Sequence, residues 1–265
     1  MRHILLLGGT TEASALATAL ATRGERAVLS YAGRTEAPRA QAIPTRVGGF
    51  GGIEGLADHM RRGGVTHLVD ATHPFAARIS ANAIAAAELA GVPLLALTRS
   101  EWVETPGDRW THVADTEQAV GALGSDPARV FLALGRQTIG DFASAAQHFY
   151  LLRFVDAAAP PALPRHHLVV DRGPFTLAGE LALLREHRIQ VVVAKNAGGS
   201  GARAKLDAAR ELGLPVVMID RPFIPPRPQV GSVAAVLDWL DHGVVRGCRG
   251  SGAPRAGSSA CGWSR

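Results

Sequence analysis

The chain has 265 residues, of which 47% are hydrophobic and 19% charged, which is ordinary for a globular protein of one large or two small domains. No apolar run approaches the roughly 20 residues that a membrane-spanning helix needs, and the first apolar run ends at Gly8, too early for a secretory signal. We therefore expect a cytoplasmic protein without a membrane partner. The two cysteines, Cys248 and Cys261, lie near the C-terminus, which excludes a disulfide framework or a cysteine metal site in residues 1–243.

The net charge of +5 is concentrated in one short segment. Residues 244–265 contain four arginines and no acidic residue, so they contribute +4 and leave 5 − 4 = +1 for residues 1–243. A nearly neutral body predicts no nucleic-acid partner, in spite of the high sequence pI. The segment itself is rich in Gly, Ser and Arg and is predicted to be a disordered tail, with an anion-binding arm as the alternative.

Apolar runs and helix signals predict that strands and helices alternate in the first half of the chain. In chain order we predict a strand at 3–7, a helix at 11–23, a strand at 27–30, a loop at 31–44, a helix ending at 62, a strand at 67–71, a helix at 74–90 and a strand at 94–97. Such alternation is typical of a right-handed, doubly wound parallel sheet.

Residues 100–115 are predicted to connect this half to a second one of the same kind. The later predicted elements are strands at 129–134, 150–154, 168–170, 190–194 and 216–219, helices at 175–187, 202–212 and 232–241, and a stiff, proline-rich segment at 221–228. Lys205, on the second of these helices, is predicted to face solvent.

A repeated cassette indicates that the two halves are related. Residues 86–99 and 208–221 each run from a helix end through Gly and Pro into a strand that ends at Arg, with an offset of 213 − 91 = 122 residues between the glycines. The same offset aligns the strand ends at His73 and Lys195. A chance similarity is the alternative. We predict an α/β fold of two Rossmann-like, doubly wound parallel-sheet halves with a cleft between them, as domains at 1–115 and 116–243 followed by the tail at 244–265.

The turn after the first strand has the features of a phosphate site. Gly8 and Gly9 allow close backbone approach, and Thr10, Thr11 and Glu12 open a helix whose N-terminus offers N–H groups to an anion. The strict G-x-G-x-x-G spacing is not met, so a generic α/β turn is the alternative.

The end of the second strand refines the cofactor prediction. Ser30, Tyr31, Gly33 and Arg34 follow this strand, and no acidic residue occurs before Glu36. NAD sites place an acid here for the ribose hydroxyls, whereas NADP sites admit an arginine, so the pattern favours NADPH. The alternative is a surface loop with an incidental arginine. The glycine-rich stretch 48–52, which includes Gly49, predicts either a second anion loop or a flexible link.

Two later strand ends carry the residues best suited to chemistry. His73 is held extended before Pro74 at the end of one strand, and Lys195 precedes a glycine-rich turn at the end of another. Ligands of open α/β sheets bind at such carboxyl ends, so these side chains are candidates for proton transfer, and Lys195 for an anionic substrate as well. Capping for His73 and a structural turn for Lys195 are the alternatives. No spacing of His, Asp, Glu or Cys predicts a metal site.

Four segments taken together resemble the precorrin-6A reductase family of cobalamin biosynthesis, over about residues 3 to 241. The segments are LLLGGTTEA at 5–13, SYAGR at 30–34, DATHPFA at 70–76 and VAKNAGG at 193–199. The resemblance implies an oxidoreductase that uses NADPH to reduce one double bond of the acidic tetrapyrrole precorrin-6A to give precorrin-6B. It also implies that the cofactor is bound mainly by the N-terminal half, with the substrate between the halves.

On this reading the site residues fall into three groups. His73 and Lys195 are candidate catalytic residues, and Thr72 joins the cofactor contacts predicted above. The expected substrate contacts are Arg136, Lys195, Asn196, Gly199 and Arg221. Two other functions remain open at this point: a cofactor-free tetrapyrrole synthase or lyase with two similar halves, and a non-enzymatic NADP-binding module. The oligomeric state cannot be predicted from the sequence.

Overall fold

A computed structural model describes residues 2–31, 40–156 and 163–243, so the predicted tail lies outside the described residues. The strands are β1 (His3–Leu7), β2 (Arg26–Tyr31), β3 (Thr45–Val47), β4 (His67–Asp70), β5 (Leu94–Leu97), β6 (Trp110–Val113), β7 (Arg129–Ala133), β8 (Phe149–Phe154), β9 (His166–Val170), β10 (Val191–Lys195), β11 (Val216–Ile219) and β12 (Gln229–Val230). The helices are α1 (Thr11–Thr22), α2 (Gly52–Gly63), α3 (Ala77–Ala90), α4 (Thr116–Ala122), α5 (Leu177–Glu186), α6 (Ala204–Glu211) and α7 (Val233–His242), with a 3-10 helix at Arg136–Ser144.

The strands form two six-stranded sheets in which neighbouring strands run parallel. The order is β12-β5-β4-β1-β2-β3 in the first sheet and β6-β11-β10-β7-β8-β9 in the second. The predicted fold of two doubly wound parallel-sheet halves is confirmed. The strand order reverses between β1 and β4 in one sheet and between β7 and β10 in the other, where such folds bind ligands.

Helices cover both faces of the first sheet, which explains why β1 is apolar along its length. Leu6 packs in a cluster with residues of α1 and α7, whereas Leu5 and Leu7 pack in a second cluster with α2 and α3. All three leucines are at most 2% exposed, and each such burial contributes roughly 1.5–3 kcal/mol. The buried strand therefore fixes the position of the turn that follows it. Among the described residues, no helix is both long and apolar enough to cross a membrane.

Each half supplies the other with an edge strand and a helix. The chain leaves β5 of the first sheet and enters β6, which pairs with β11 of the second sheet; it later leaves β11 and enters β12, which pairs with β5. The helices that follow move with their strands, since Ala119 of α4 is buried in the second half and Val236 of α7 in the first. Two chain segments, which we call the straps (residues 98–109 and 220–228), therefore connect the halves.

This exchange bears on the predicted domain limits. Residues 110–113, inside the predicted domain 1–115, belong to the second sheet, and residues 229–242, inside the predicted domain 116–243, return to the first half. A parallel strand can join a sheet edge from a distant part of the chain, so the strand pairing crosses both limits. Residues 100–115, predicted as a simple connection, contain the exchanged strand β6.

The repeat is visible in the strand order, but its register shifts by two residues. Leu95 and Val217 lie 217 − 95 = 122 residues apart and pair with Val69 and Val193, which lie 193 − 69 = 124 apart. Lys195 therefore corresponds to residue 71 in the first half, and the predicted alignment of Lys195 with His73 is wrong. The two side chains approach each other for another reason, described below.

Two other local predictions differ from the structure. The helix predicted from residue 74 begins at Ala77, because Pro74 and Phe75 form a turn in which the N–H of Ala76 donates to the carbonyl of His73 at 2.7 Å. Lys205 is buried rather than exposed; its Nζ donates to the Ala202 carbonyl at 2.6 Å and lies 4.9 Å from the Trp102 ring centre. Burial lowers the pKa of Lys205 to about 8, although the carboxylate of Glu180 opposes the shift.

Candidate functional site

The turn after β1 is built by packing and by one helix cap. A Cβ at Gly8 would lie 2.4 Å from Leu29 Cδ1, so the turn sits directly against β2. Gly9 has φ +133°, and a Cβ there would meet no atom within 4 Å, which leaves open space above the turn. Thr10 Oγ1 accepts from the N–H of Ala13 at 3.1 Å and donates to the Ala71 carbonyl at 2.8 Å. The predicted phosphate turn is therefore anchored to β4 and open on its outer side.

The first turn of α1 also reaches the strap. Glu12 carries both carboxylate oxygens 3.3 Å from Arg99 Nη1, and Thr11 Oγ1 donates to Glu12 Oε2 at 3.1 Å. Burial alone would raise the pKa of Glu12, but a hydrogen bond from its own backbone N–H, Arg99 and Thr11 together lower the pKa below its usual value. The Glu12 carboxylate therefore stays ionised beside the helix N-terminus and is neutralised by Arg99.

The end of β2 holds two of the four residues predicted there, while Gly33 and Arg34 lie outside the described residues. Ser30 is buried, and its Oγ accepts from Arg46 Nη1 at 2.8 Å. Tyr31 packs partly buried against the core under α1 and hydrogen bonds Ser14; burial raises the pKa of Tyr31. The carbonyl of Gly49 also accepts from Arg46, at 3.1 Å, so Arg46 joins the two predicted cofactor segments.

Thr72 lies in a buried network at the end of β4. Its N–H and Oγ1 donate to Asp70 Oδ1 at 3.1 and 2.7 Å, and Ser80 Oγ donates to Asp70 Oδ2 at 2.6 Å. Arg227, on the second strap, places Nη2 3.4 Å from the same oxygen. Ser80 and Arg227 were not predicted as site residues. Of this network, only the Asp-x-Thr at residues 70–72 has a spacing that indicates a side-chain-to-backbone turn.

His73 and Lys195 lie near each other because the loop of the first half that carries His73 and Phe75 packs on the second half. Phe75 packs against the second core, and Lys195 Nζ lies 5.3 Å from its ring centre. The N–H of Phe75 donates to His73 Nδ1 at 3.2 Å, which assigns the hydrogen of the neutral imidazole to Nε2. Burial, followed by the charges of Arg99, Lys195 and Arg221, lowers the pKa of His73 to about 4. At neutral pH His73 is therefore an uncharged hydrogen-bond donor among three cations.

The low pKa of His73 predicts a pH dependence of stability. Between pH 6.5 and 4 the unfolded chain binds a proton at His73 that the folded chain does not, so the folded state loses stability as the pH falls through this range. We expect His73→Gln to remove on the order of 2 kcal/mol of the stability lost between pH 7 and about pH 4.5, after allowing for partial exposure. Urea unfolding of both proteins at the two pH values measures this difference; an unchanged pH dependence in the variant would contradict it.

The two straps cross beside these residues, and each contributes the arginine that ends its cassette. Arg99 Nε donates to the Ala197 carbonyl at 2.7 Å. Arg221 Nε donates to the Asn196 carbonyl at 3.0 Å, and its Nη2 donates to the Arg99 carbonyl at 2.9 Å. Burial lowers the pKa of Arg221, and the nearby charge of Glu101 opposes this. Arg99 was part of the repeated cassette but was not predicted as a site residue.

The other predicted substrate residues differ in whether their polar groups are exposed or already bonded within the protein. Asn196 is buried, with Oδ1 accepting from the Trp102 N–H at 2.8 Å and Nδ2 donating to the Trp102 carbonyl at 3.0 Å, so its amide holds the strap. The Gly199 carbonyl accepts from Trp102 Nε1 at 2.7 Å. Arg136 is exposed, 5.3 Å from the Phe154 ring centre and 3.5 Å from the Asp156 carbonyl, so its contacts lie at the carboxyl end of β8.

Two cavities flank the strap at residues 98–101. One, of about 460 Å³, is lined by Asp70, Thr72, Thr98, Arg221 and Arg227 among others. The other, of about 640 Å³, is lined by residues that include Arg99, Trp102, Gly199 and Arg203. Both fall in the size range of ligand pockets. Across residues 2–31, 40–156 and 163–243, no three His, Cys, Asp or Glu side chains are grouped to hold a metal ion.

The fold and this arrangement define a Rossmann-type α/β protein with a glycine turn on one half and a cluster of cations around His73, where the loop of the first half packs on the second. A family described as precorrin-6x reductase CbiJ/CobK matches residues 3–241. The chain belongs to this family, and it is therefore an oxidoreductase. The resemblance inferred from the four sequence segments is confirmed.

Individual relatives align with this chain over almost their whole length. A precorrin-6A reductase of Rhodobacter capsulatus is 58% identical over 247 residues, covering 92% of this chain and 98% of the relative. A cobalt-precorrin-6A reductase of Priestia megaterium is 30% identical over 260 residues, covering 93% and 99%. A solved structure of CobK precorrin-6A reductase superposes with a TM-score of 0.88 at 57% identity, covering 94% of this chain and all of that one.

Proposed function

We propose that this chain reduces one carbon–carbon double bond of precorrin-6A to give precorrin-6B in cobalamin biosynthesis, with NADPH as the hydride donor. The observation that carries the proposal is the clustering of the cations Arg99, Lys195 and Arg221 around His73, together with the contact of Arg99 with Glu12 in the first turn of α1. An anionic dinucleotide fits the turn and an acidic tetrapyrrole fits the cations. The alternatives of a cofactor-free lyase and of a binding module without activity are disfavoured by membership of a reductase family.

The residues of the first half suit NADPH. The open space above Gly9 and the N-terminus of α1 would take the pyrophosphate, with Gly8, Thr10, Thr11 and Glu12 shaping the turn. Ser30, Tyr31 and Gly49 would border the adenosine ribose; Gly33 and Arg34 stay predicted contacts outside the described residues. Thr72, at the end of β4, would border the nicotinamide. When bound, the nucleotide supplies the hydride.

The cations around His73 suit the carboxylates of the substrate. Lys195 and Arg221 are proposed to bind them, with Arg99 added from the structure. Arg136 is proposed to meet a carboxylate farther out on the second sheet. Asn196 and Gly199 would act by holding the strap that carries Arg99, since their polar groups bond Trp102. Of the proposed substrate contacts, Arg99 lies next to the proposed cofactor turn, 3.3 Å from the Glu12 carboxylate.

Hydride addition to one carbon leaves the neighbouring carbon in need of a proton. His73 and Lys195 are both candidates for this chemistry, and their environments divide the roles. With a pKa of about 4, His73 is almost never protonated at neutral pH, so we assign it the role of orienting the substrate through Nε2–H. Lys195, whose ammonium lies against Phe75, is the proposed proton donor.

Titration with the two nicotinamide nucleotides tests the cofactor. We expect nicotinamide fluorescence to report tight NADPH binding and NADH binding weaker by at least about 10-fold, the value of one phosphate contact. Binding of neither nucleotide, with or without substrate, would contradict the proposed cofactor. The cytoplasmic location and the lack of a nucleic-acid partner stay predictions from the sequence.

A further inference from the structure

Arg46 occupies a place at the edge of the first sheet that sequence reasoning did not consider. It lies on β3 and pairs in register with Ser30 near the carboxyl end of β2. Its Nη1 donates to Ser30 Oγ at 2.8 Å and to the Gly48 carbonyl at 3.0 Å, and its Nη2 donates to the Gly49 carbonyl at 3.1 Å. Its guanidinium carbon lies 3.9 Å from the centre of the Phe50 ring. The Arg46 guanidinium is therefore held on one face by the Phe50 ring and along one edge by its hydrogen bonds.

The charge of Arg46 is not matched by an acid in the described part of the chain. Arg99, Arg153 and Arg227 each lie within 4.0 Å of a carboxylate, whereas the recorded acceptors of Arg46 are a hydroxyl and two carbonyls. Burial lowers the pKa of Arg46, and no carboxylate of the described residues opposes the shift. A held, partly buried cation without a counter-charge is suited to an anionic ligand.

The free edge of the guanidinium has the geometry for a phosphate. Of its five N–H groups, two on Nη1 and one on Nη2 are used by Ser30, Gly48 and Gly49. Within residues 2–31, 40–156 and 163–243, no further acceptor takes the Nε–H or the second Nη2–H, the two donors with which a guanidinium can bind two oxygens of a phosphate. In open α/β sheets the adenosine ribose binds at the end of the second strand, and an arginine near it accommodates the 2′-phosphate.

We propose that Arg46 binds the 2′-phosphate of the dinucleotide and thereby sets the preference of this enzyme for NADPH over NADH. The inference rests on the proposed function and names the residue that carries its cofactor specificity. Ser30 and Gly49, both predicted cofactor residues, then act by holding this guanidinium. Arg34 was predicted for the same phosphate from the sequence, so the two arginines must be tested separately.

The test compares Arg46→Gln with Arg26→Gln, an exposed arginine at the opposite end of β2. NADPH, NADH, 2′,5′-ADP and 5′-ADP are titrated against each variant and the parent protein. We expect Arg46→Gln to weaken NADPH and 2′,5′-ADP by roughly 10- to 100-fold and to change NADH and 5′-ADP by less than about threefold. Arg26→Gln should leave all four affinities unchanged.

A second variant, Arg46→Lys, keeps the test valid if Arg46→Gln does not fold. Lysine keeps the positive charge but cannot bind two phosphate oxygens as the guanidinium fork does. We expect this variant to fold and to lose several-fold of the NADPH preference. Equal weakening of phosphorylated and unphosphorylated nucleotides would overturn the inference, as would an unchanged preference in both Arg46 variants. Loss of the preference in Arg34→Ala but not in Arg46→Gln would also overturn it. Failure of the parent protein to bind NADPH would instead refute the proposed cofactor itself.

Discussion

Replacement of Gly198 by alanine is expected to destabilise the protein and abolish turnover together. Gly198 has φ +69°, and a Cβ there would lie 2.0 Å from the carbonyl oxygen of Ser100 and 2.7 Å from Arg221 Nη2. Neither neighbour can move freely, because Arg221 Nη2 also donates to the Arg99 carbonyl. The strained backbone and the overlap should together cost about 2–5 kcal/mol and separate the straps that carry the cleft arginines.

Gly201→Ala is the matched control for this change. Gly201 belongs to the same loop, has no left-handed backbone, and a Cβ there would meet no atom within 4 Å. Urea unfolding and precorrin-6A turnover of both variants measure the effect. Stability and turnover of Gly198→Ala equal to those of Gly201→Ala would show that the straps are not packed against this loop as described.

Replacement of Lys195 by methionine is expected to lower kcat/KM for precorrin-6A by about 100-fold or more, with the affinity for NADPH unchanged. Methionine keeps the packing against Phe75 but removes the ammonium, which lies 5.3 Å from that ring. Loss of a proton donor typically costs 10²–10⁴ in rate. Lys195 lies on the second half, away from the turn after β1, so the nucleotide should bind as before.

Lys195→Arg separates proton donation from binding. Arginine keeps the positive charge but does not give up a proton near neutral pH. We expect it to restore most of the KM lost in Lys195→Met and little of the kcat. Full recovery of kcat would mean that Lys195 only binds a carboxylate, and parent-like kinetics of the methionine variant would place Lys195 outside the site.

The alternating pattern predicted every strand except β3, β6 and β12, because each longer buried strand and each helix cap is encoded locally. Ser232 caps α7 and Thr10 caps α1, and both helices begin within one residue of their predicted starts. The exchanged strands β6 and β12 could not be predicted, because they are short and their partners lie 216 − 110 = 106 and 229 − 96 = 133 residues away in the chain. A two-residue pattern at a sheet edge does not specify which sheet it joins.

The candidate site was predictable where a residue follows a strand, and not where it depends on how the halves meet. His73, Lys195 and Arg221 were found because they sit at strand ends. The contact of Arg99 with Glu12 joins residues 99 − 12 = 87 positions apart and follows from the path of the strap. Arg46 lies inside a strand, and only the register of β3 beside β2 brings it to Ser30. Such contacts leave no periodic signal in the sequence.

Transfer of label from NADPH to the tetrapyrrole tests the proposed reduction of precorrin-6A most directly. Precorrin-6A is incubated without oxygen with the purified protein and NADPH carrying deuterium at both C4 positions, and the product is analysed by mass spectrometry. We expect a product that has gained one deuterium from the nucleotide and one hydrogen from solvent. Recovery of unaltered precorrin-6A, or a reduced product without deuterium, would contradict it.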